Sequence, residues 1–295
     1  MYLLLPLLAA LAFALGAMVF KRAYQEGAGL AHLAVVNNVI LGIVFLPLLA
    51  LERQPLPWHD WALPVLTALT WAAGHLLNVT SLRRGDVSLA TPLLGAKVIF
   101  VAVICWLVFD QELSIAQWTS AGLATAGVVT MGLTDFRHGQ RAGFTTAAAL
   151  GCALSFALTD TMIQAWGPRF GAWGFLALVF AAVGAISTLL TPYFGLSSFR
   201  APWKAWRWIL VGAALSGIQA IIITGTIAVW KDAAGVNVVY ATRGLWSIAL
   251  VWTAGHWLKN TERHTTGPRV MAQRLAGAAL ILGGVVLAIT SGVRR

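Results

Sequence analysis

Apolar runs of about twenty residues follow one another almost without interruption along this chain, and each is long enough to cross a bilayer as a helix. Ten such runs cover roughly 2–20, 30–51, 61–82, 87–109, 115–134, 143–166, 170–193, 206–230, 235–258 and 270–291. The loops between them are short, so successive helices are expected to be antiparallel neighbours. Only 10% of the 295 residues are charged, against about 25% in soluble domains, and mean hydropathy is +0.80. The expected fold class is therefore an all-α integral membrane protein of ten transmembrane helices. The first run has no basic stretch before it and reads as a retained helix, not a signal peptide.

Composition also removes function classes. The formal charge of +10 comes from Lys and Arg in short loops, where they act as orientation signals and headgroup contacts. No nucleic-acid partner is expected. Cys105 and Cys152 sit inside apolar runs and read as small buried hydrophobes rather than a disulfide or metal pair. There is no HExxH, GxSxG or Walker pattern and no carboxylate cluster for two metals. No enzyme activity, ATP-driven pumping, metal or cofactor is expected.

The chain also repeats itself. Ala10 to Ala23, ALAFALGAMVFKRA, aligns with Ala153 to Trp166, ALSFALTDTMIQAW, at an offset of 143; Ala10, Leu11, Phe13, Ala14 and Leu15 meet identical residues. Gly85 to Phe109 aligns with Ala234 to Leu258 at offset 149, placing Val87 on Val236 and Gly95 on Gly244. AGLATAGVV (121–129) aligns with GAALILGGV (277–285) at offset 156. Three matches in one order, with small loop insertions between them, predict two halves, 1–142 and 143–295. Each half has five helices. An odd number makes the second half enter the membrane from the opposite side, the inverted-repeat architecture of secondary transporters.

The segment GDVSLATPLLGAKVIFVAVICWLVFDQELSIAQWTSAGLATAGVVTMGL resembles the fourth and fifth helices of EamA-type proteins of the drug/metabolite transporter superfamily. Gly85, Pro92, Trp106, Phe109, the turn ending Glu112-Leu113-Ser114, Trp118, Gly122 and Gly127 carry the likeness, and GVNVVYATRGLWSIALVWTAGHWLKNTE repeats it with a longer turn and Glu262. The resemblance implies ten helices in two inverted five-helix repeats around a central cavity that opens alternately to the two sides. It leaves the substrate open, since family members move amino acids, drugs, sugar nucleotides and sugar phosphates.

Thirteen of the twenty basic residues lie in the odd-numbered loops and five on the other side; Lys97 and Arg243 complete the set. The positive-inside rule places the odd loops in the cytoplasm of a cell (inner) membrane and both termini outside.

Three charged residues lie deep within apolar runs: Lys97 in helix four, Arg243 in helix nine and Asp160 in helix six. Each costs at least about 2.5–3.5 kcal/mol at the bilayer centre on insertion scales. One acid cannot neutralise two cations, and an uncompensated buried charge is the expensive case. The offset of 149 puts Arg243 on Leu94 and Lys97 on Trp246, equivalent stretches that face one another across the cavity. Lys97 and Arg243 are therefore the expected anion subsite. Asp160 is the expected coupling residue or counter-ion. Tyr240, Arg243, Gly244 and Ser247 form a polar stripe at helical spacing, with Trp246 beside it as an aromatic wall. Trp71, His75 and Asn78 share a face of helix three. Asn37 and Asn38 on helix two and Gln219 on helix eight are candidate substrate contacts or interhelical bonds. Gln164, nearer a boundary, reads as a hydrated residue. Pro92, Gly95 and Gly244 are the expected hinges.

The expected function is alternating-access transport of a small anionic or zwitterionic metabolite, such as an amino acid, organic acid or phosphorylated compound. The alternative is an exporter of uncharged or cationic drugs or metabolites, or a lipid-headgroup carrier, with Lys97, Arg243 and Asp160 as structural ion pairs. Buried compensating charges favour an occluding site over an open channel. Expected partners are the metabolite, the lipid bilayer and a coupling proton or exchanged anion, with the chain a monomer or homodimer.

Overall fold

The computed structural model describes residues 2–29, 31–84, 93–132, 142–195, 199–254 and 268–292, and every regular element among them is helical. Pro92 and the family-like positions Gly85 and Glu262 lie outside the described residues, as do several loop cations that enter the charge bias, Arg137, Arg141, Lys259, Arg263, Arg294 and Arg295. The α-helices are α1 (Leu5–Gln25), α2 (Asn37–Phe45), α3 (Ala62–Arg84), α4 (Lys97–Leu107), α5 (Ile115–Gly132), α6 (Ala142–Phe170), α7 (Ala172–Leu189), α8 (Trp203–Trp230), α9 (Ala233–Tyr240), α10 (Arg243–Ala254) and α11 (Pro268–Gly292). A single helical turn, Thr191–Phe194, follows α7.

Among the described residues, five helical stretches are long and apolar enough to cross a membrane: Tyr2–Gln25, Thr146–Phe170, Ala172–Leu189, Trp203–Trp230 and Ala272–Ser291. Two of the expected continuous helices are instead divided. The run 30–51 is a π-helical turn over His32–Val36, then α2, then a 3-10 stretch over Leu46–Leu51. Pro47 has no N–H to give the α-helical ladder at that last change. The run 235–258 is split at Ala241–Thr242 into α9 and α10. There the Thr242 hydroxyl and backbone N–H both reach the Val239 carbonyl, at 2.7 and 3.1 Å, and tighten the chain into a 3-10-like turn. Helix four carries a similar irregularity: a 3-10 turn, Leu94–Ala96, leads directly into α4.

The helices pair in a regular way. The main partners are α1 with α8, α3 with α6, α2 with α7 and α5 with α11; α4 packs on α6, and α9 and α10 pack on α1. Small residues permit the closest of these contacts. A methyl on Gly127 would sit 2.6 Å from the Gly277 carbonyl oxygen across the α5–α11 seam. A methyl on Gly95 would fall on the Val128 side chain of α5. The tight α6–α7 turn depends on Gly171, whose φ of +74° disfavours other residues and whose missing side chain leaves space for the Glu52 carboxylate.

The end of the bundle that carries Tyr2 and Ser291 is stitched by polar groups. The Tyr2 hydroxyl donates to Asp232 at 2.6 Å, and its ring stacks on Trp230. Asp232 also accepts from the Gly235 N–H at 2.9 Å as the N-cap of α9. Gln164 donates to Gln111 at 2.6 Å and accepts from the Ala233 N–H at 2.6 Å. It thus ties α6 to the turn after α4 and to the start of α9, and is not the merely hydrated residue expected from its position.

Candidate functional site

The charged residues singled out in the sequence meet in the interior of the bundle. Lys97, the first residue of α4, places its Nζ 2.7 Å from Asp160 Oδ2 on α6; their side chains are only 12% and 3% exposed. The same oxygen accepts from Asn237 Nδ2 of α9 at 2.7 Å. Asn237 also donates to the Ala233 carbonyl, so its orientation is set by its own helix. The carboxylate therefore ties α4, α6 and α9 together.

Arg243, the first residue of α10, lies within electrostatic range of Lys97. Among the described residues no carboxylate is within ion-pair distance of it. Its guanidinium carbon lies 5.2 Å from the Phe13 ring centre and 4.9 Å from that of Tyr240, close enough for cation–π attraction. Phe13 and Tyr240 meet edge to face, with centres 6.0 Å apart. On the other side, the Lys97 ammonium is 6.0 Å from the Phe156 ring. Each interior cation thus has a phenylalanine from α1 or α6 against it, but only one has an acid.

Beyond Phe156 the wall is aromatic. Trp71 contacts His75, Phe156 and Phe180 at centre distances of 5.3, 5.4 and 4.9 Å, and Phe180 stacks on Phe45 at 3.9 Å. His75 also meets Phe156 edge-on at 5.4 Å. The absence of a side chain at Gly74 lets the Phe156 ring approach α3 this closely. A hydroxyl pair, Thr70 with Thr159 at 2.8 Å, clasps α3 to α6 one residue from Trp71 and from Asp160. The Trp71 indole N–H is buried without a hydrogen-bond partner, as is the Asn37 amide oxygen.

The remaining candidates are placed less centrally. Tyr240 is buried against Arg243, whereas Trp246 is 36% exposed, and the rings on the guanidinium are those of Phe13 and Tyr240. The Ser247 hydroxyl is engaged with the Arg243 carbonyl at 2.9 Å. Asn38 bonds Ser187 of α7 at 3.0 Å and acts there as a link between helices. Asn37 shares a face with Leu41 and Phe45, which leads toward Phe180. Gln219 and Asn78 are half-buried, and no hydrogen bond links Gln219 to the charged cluster. The helix-nine break lies two residues before Gly244, where a methyl would meet nothing nearer than 3.7 Å. Cys105 and Cys152 are buried free thiols.

Asn237, Phe13 and Phe156 were not anticipated. Asn237 stands only two residues into the run 235–258, so its place in the sequence gave no sign of its depth. Phe13 and Phe156 are the same position of the repeat ALAFAL/ALSFAL, and that identity was their signal. His32 was also missed. It is fully buried, and its two ring nitrogens meet the Gly29 N–H at 3.0 Å and the Phe199 carbonyl at 3.2 Å, pinning the first loop to the stretch before α8.

No curated protein matched the sequence significantly. A crystal structure of another protein aligns with 99% of this chain and 98% of its own length at a TM-score of 0.69. With 17% sequence identity, the likeness is one of fold. Residues 1–133 match the model of the EamA-like transporter family. With its apolar membrane-crossing helices, the chain is a multi-pass membrane protein whose first 133 residues are similar to the EamA-like transporter family.

Proposed function

We propose that this protein is a secondary transporter that moves a small anionic or zwitterionic metabolite by alternating access between two inverted halves, 1–142 and 143–295. The observation that carries the reading is the charge arrangement: Lys97 is neutralised by Asp160, while Arg243, at the start of α10 in the interior, has rings but no acid around it. That leaves one net positive charge among the three interior groups. Such a charge is costly unless an anion answers it. Guanidinium suits this role, since it stays protonated and can hold a carboxylate or phosphate through two hydrogen bonds.

The helix pairing supports the two-halves reading. Exchanging helices one to five for six to ten turns α1–α8 into α6–α3, and turns α4 on α6 into helix nine on α1. The α2–α7 and α5–α11 pairs map onto themselves. The stitched end at Tyr2, Asp232, Gln111 and Gln164 fits a conformer closed on the side of the termini. Charge bias places that side outside the cell (inner) membrane. In this reading Asp160 couples substrate to a proton or an exchanged anion, and its bonds to both Lys97 and Asn237 support that role.

The test is a thermal-shift screen of purified protein against metabolites, followed by uptake and counterflow in liposomes. Stabilisation and counterflow by organic anions or zwitterions are expected. A panel in which only cations or neutral compounds stabilise the protein would overturn the substrate class.

A further inference from the structure

We infer that the substrate is a monocarboxylate, and that its carboxylate takes, beside Arg243, the place that Asp160 takes beside Lys97 in the other half. This rests on the reading of the chain as an anion transporter built from two inverted halves.

The two α-helical segments concerned are Ala10–Ala17, ALAFALGA, and Ala153–Asp160, ALSFALTD. Their shared alanines are buried alike: Ala10 and Ala14 are 0% exposed, and Ala153 and Ala157 are 1% and 0% exposed. Phe13 faces Arg243 as Phe156 faces Lys97, at 5.2 and 6.0 Å. Each cation is the first residue of a helix that follows a break, the Leu94–Ala96 turn before Lys97 and the Ala241–Thr242 turn before Arg243. The halves therefore share a cation, a ring and a helix irregularity in the same relation. They differ at the last position of the repeat. Asp160 fills it with a carboxylate, buried to 2% exposure and bonded to Lys97. Ala17 stands there in the first half, one turn from Phe13 on the same face. It is small and exposed. Beside Arg243 the first half leaves an open place at Ala17, where beside Lys97 the second half supplies the acid Asp160.

Charge selects the ligand class. A monoanion brings the interior to neutrality. A phosphate dianion would leave an uncompensated negative charge there, as costly as the positive one it replaced. The Phe13 and Tyr240 rings beside the guanidinium suit an apolar or aromatic body on the acid.

The probes are benzoate, phenylacetate and hexanoate, compared with benzamide, succinate and inorganic phosphate, by calorimetric binding to the purified full-length protein. Ala17→Asp supplies an internal acid for Arg243, and Ala17→Asn is its uncharged isostere. Monocarboxylates are expected to bind wild type and to bind Ala17→Asn about tenfold or more tightly than Ala17→Asp, the ratio for losing a charge-assisted contact. Equal affinities in the two variants, whether kept or lost, would overturn the inference. Should Ala17→Asp fail to give monodisperse protein, Arg243→Gln decides: wild-type affinity for monocarboxylates in that variant overturns it, and loss supports it. Binding of phosphate or succinate without monocarboxylates sinks this inference and leaves the anion-transporter reading standing. Binding of the neutral benzamide alone sinks both.

Discussion

Removing one partner of the Lys97–Asp160 pair strands the other charge among apolar groups. Lys97→Gln alone should therefore lower stability by about 3–5 kcal/mol, as breaking a buried pair does elsewhere. The double variant Lys97→Met with Asp160→Leu should lie closer to wild type than either single change, because no charge is stranded. Thermal midpoints in one detergent would compare the three, and additive losses would show that the pair is not coupled. Asp160→Asn should also abolish gradient-driven accumulation while leaving counterflow exchange measurable in liposomes. Normal accumulation would reduce Asp160 to a structural role. Lys97, Asp160 and Arg243 were legible as a problem in the sequence, because charge inside an apolar run must be answered by something. Which cation takes the acid was not legible, since that depends on the approach of α6 to α4 and on Asn237 reaching the same oxygen.

The helices themselves were readable from apolar length, but their interruptions were not. Ala241 and Thr242 carry no breaker signal, and the break shows itself only in the hydrogen bonds that return to Val239. Glycine positions separate by what faces them. Gly244→Ala should keep stability or raise it by up to about 1 kcal/mol, read as an unchanged or higher thermal midpoint, because a methyl has room and alanine suits a helix better. Gly127→Ala should lower it, because the added carbon meets the Gly277 carbonyl of α11. If Gly244→Ala is stable but slow in counterflow, glycine there serves motion; a large loss of stability would contradict the spacing observed.

Seen as a membrane protein, the chain has two distinct ends. The thirteen-to-five division of basic residues predicts that both termini are extracytoplasmic. A reporter fluorescent only in the cytoplasm, fused after Arg295, should stay dark; bright cells would reverse the orientation. The terminal end is cross-linked by Tyr2, Asp232, Gln111 and Gln164. Combining Tyr2→Phe with Gln164→Leu should loosen it and raise the labelling of a cysteine placed at Ala234 by an impermeant thiol reagent. Unchanged labelling would show that these bonds do not hold the closure.

The membrane class, the helical runs, the repeat and the presence of charge in the interior follow from the order of the amino acids. Hydrophobic length and charge placement are local quantities, and the bilayer acts on them segment by segment. Partnership is not local. Asp160 and Asn237 are 77 positions apart, Phe13 and Arg243 farther still, yet they share one small space. Whether Gln164 faced water or bridged Gln111 to Ala233 depended on where α9 begins, which Asp232 sets by capping it. Helix packing brought one acid to Lys97 and none to Arg243. That asymmetry, carried by Asp160 against Ala17 at matching positions of the ALAFALGA and ALSFALTD segments, acquires its meaning only when α6 packs on α4 and α1 on α10.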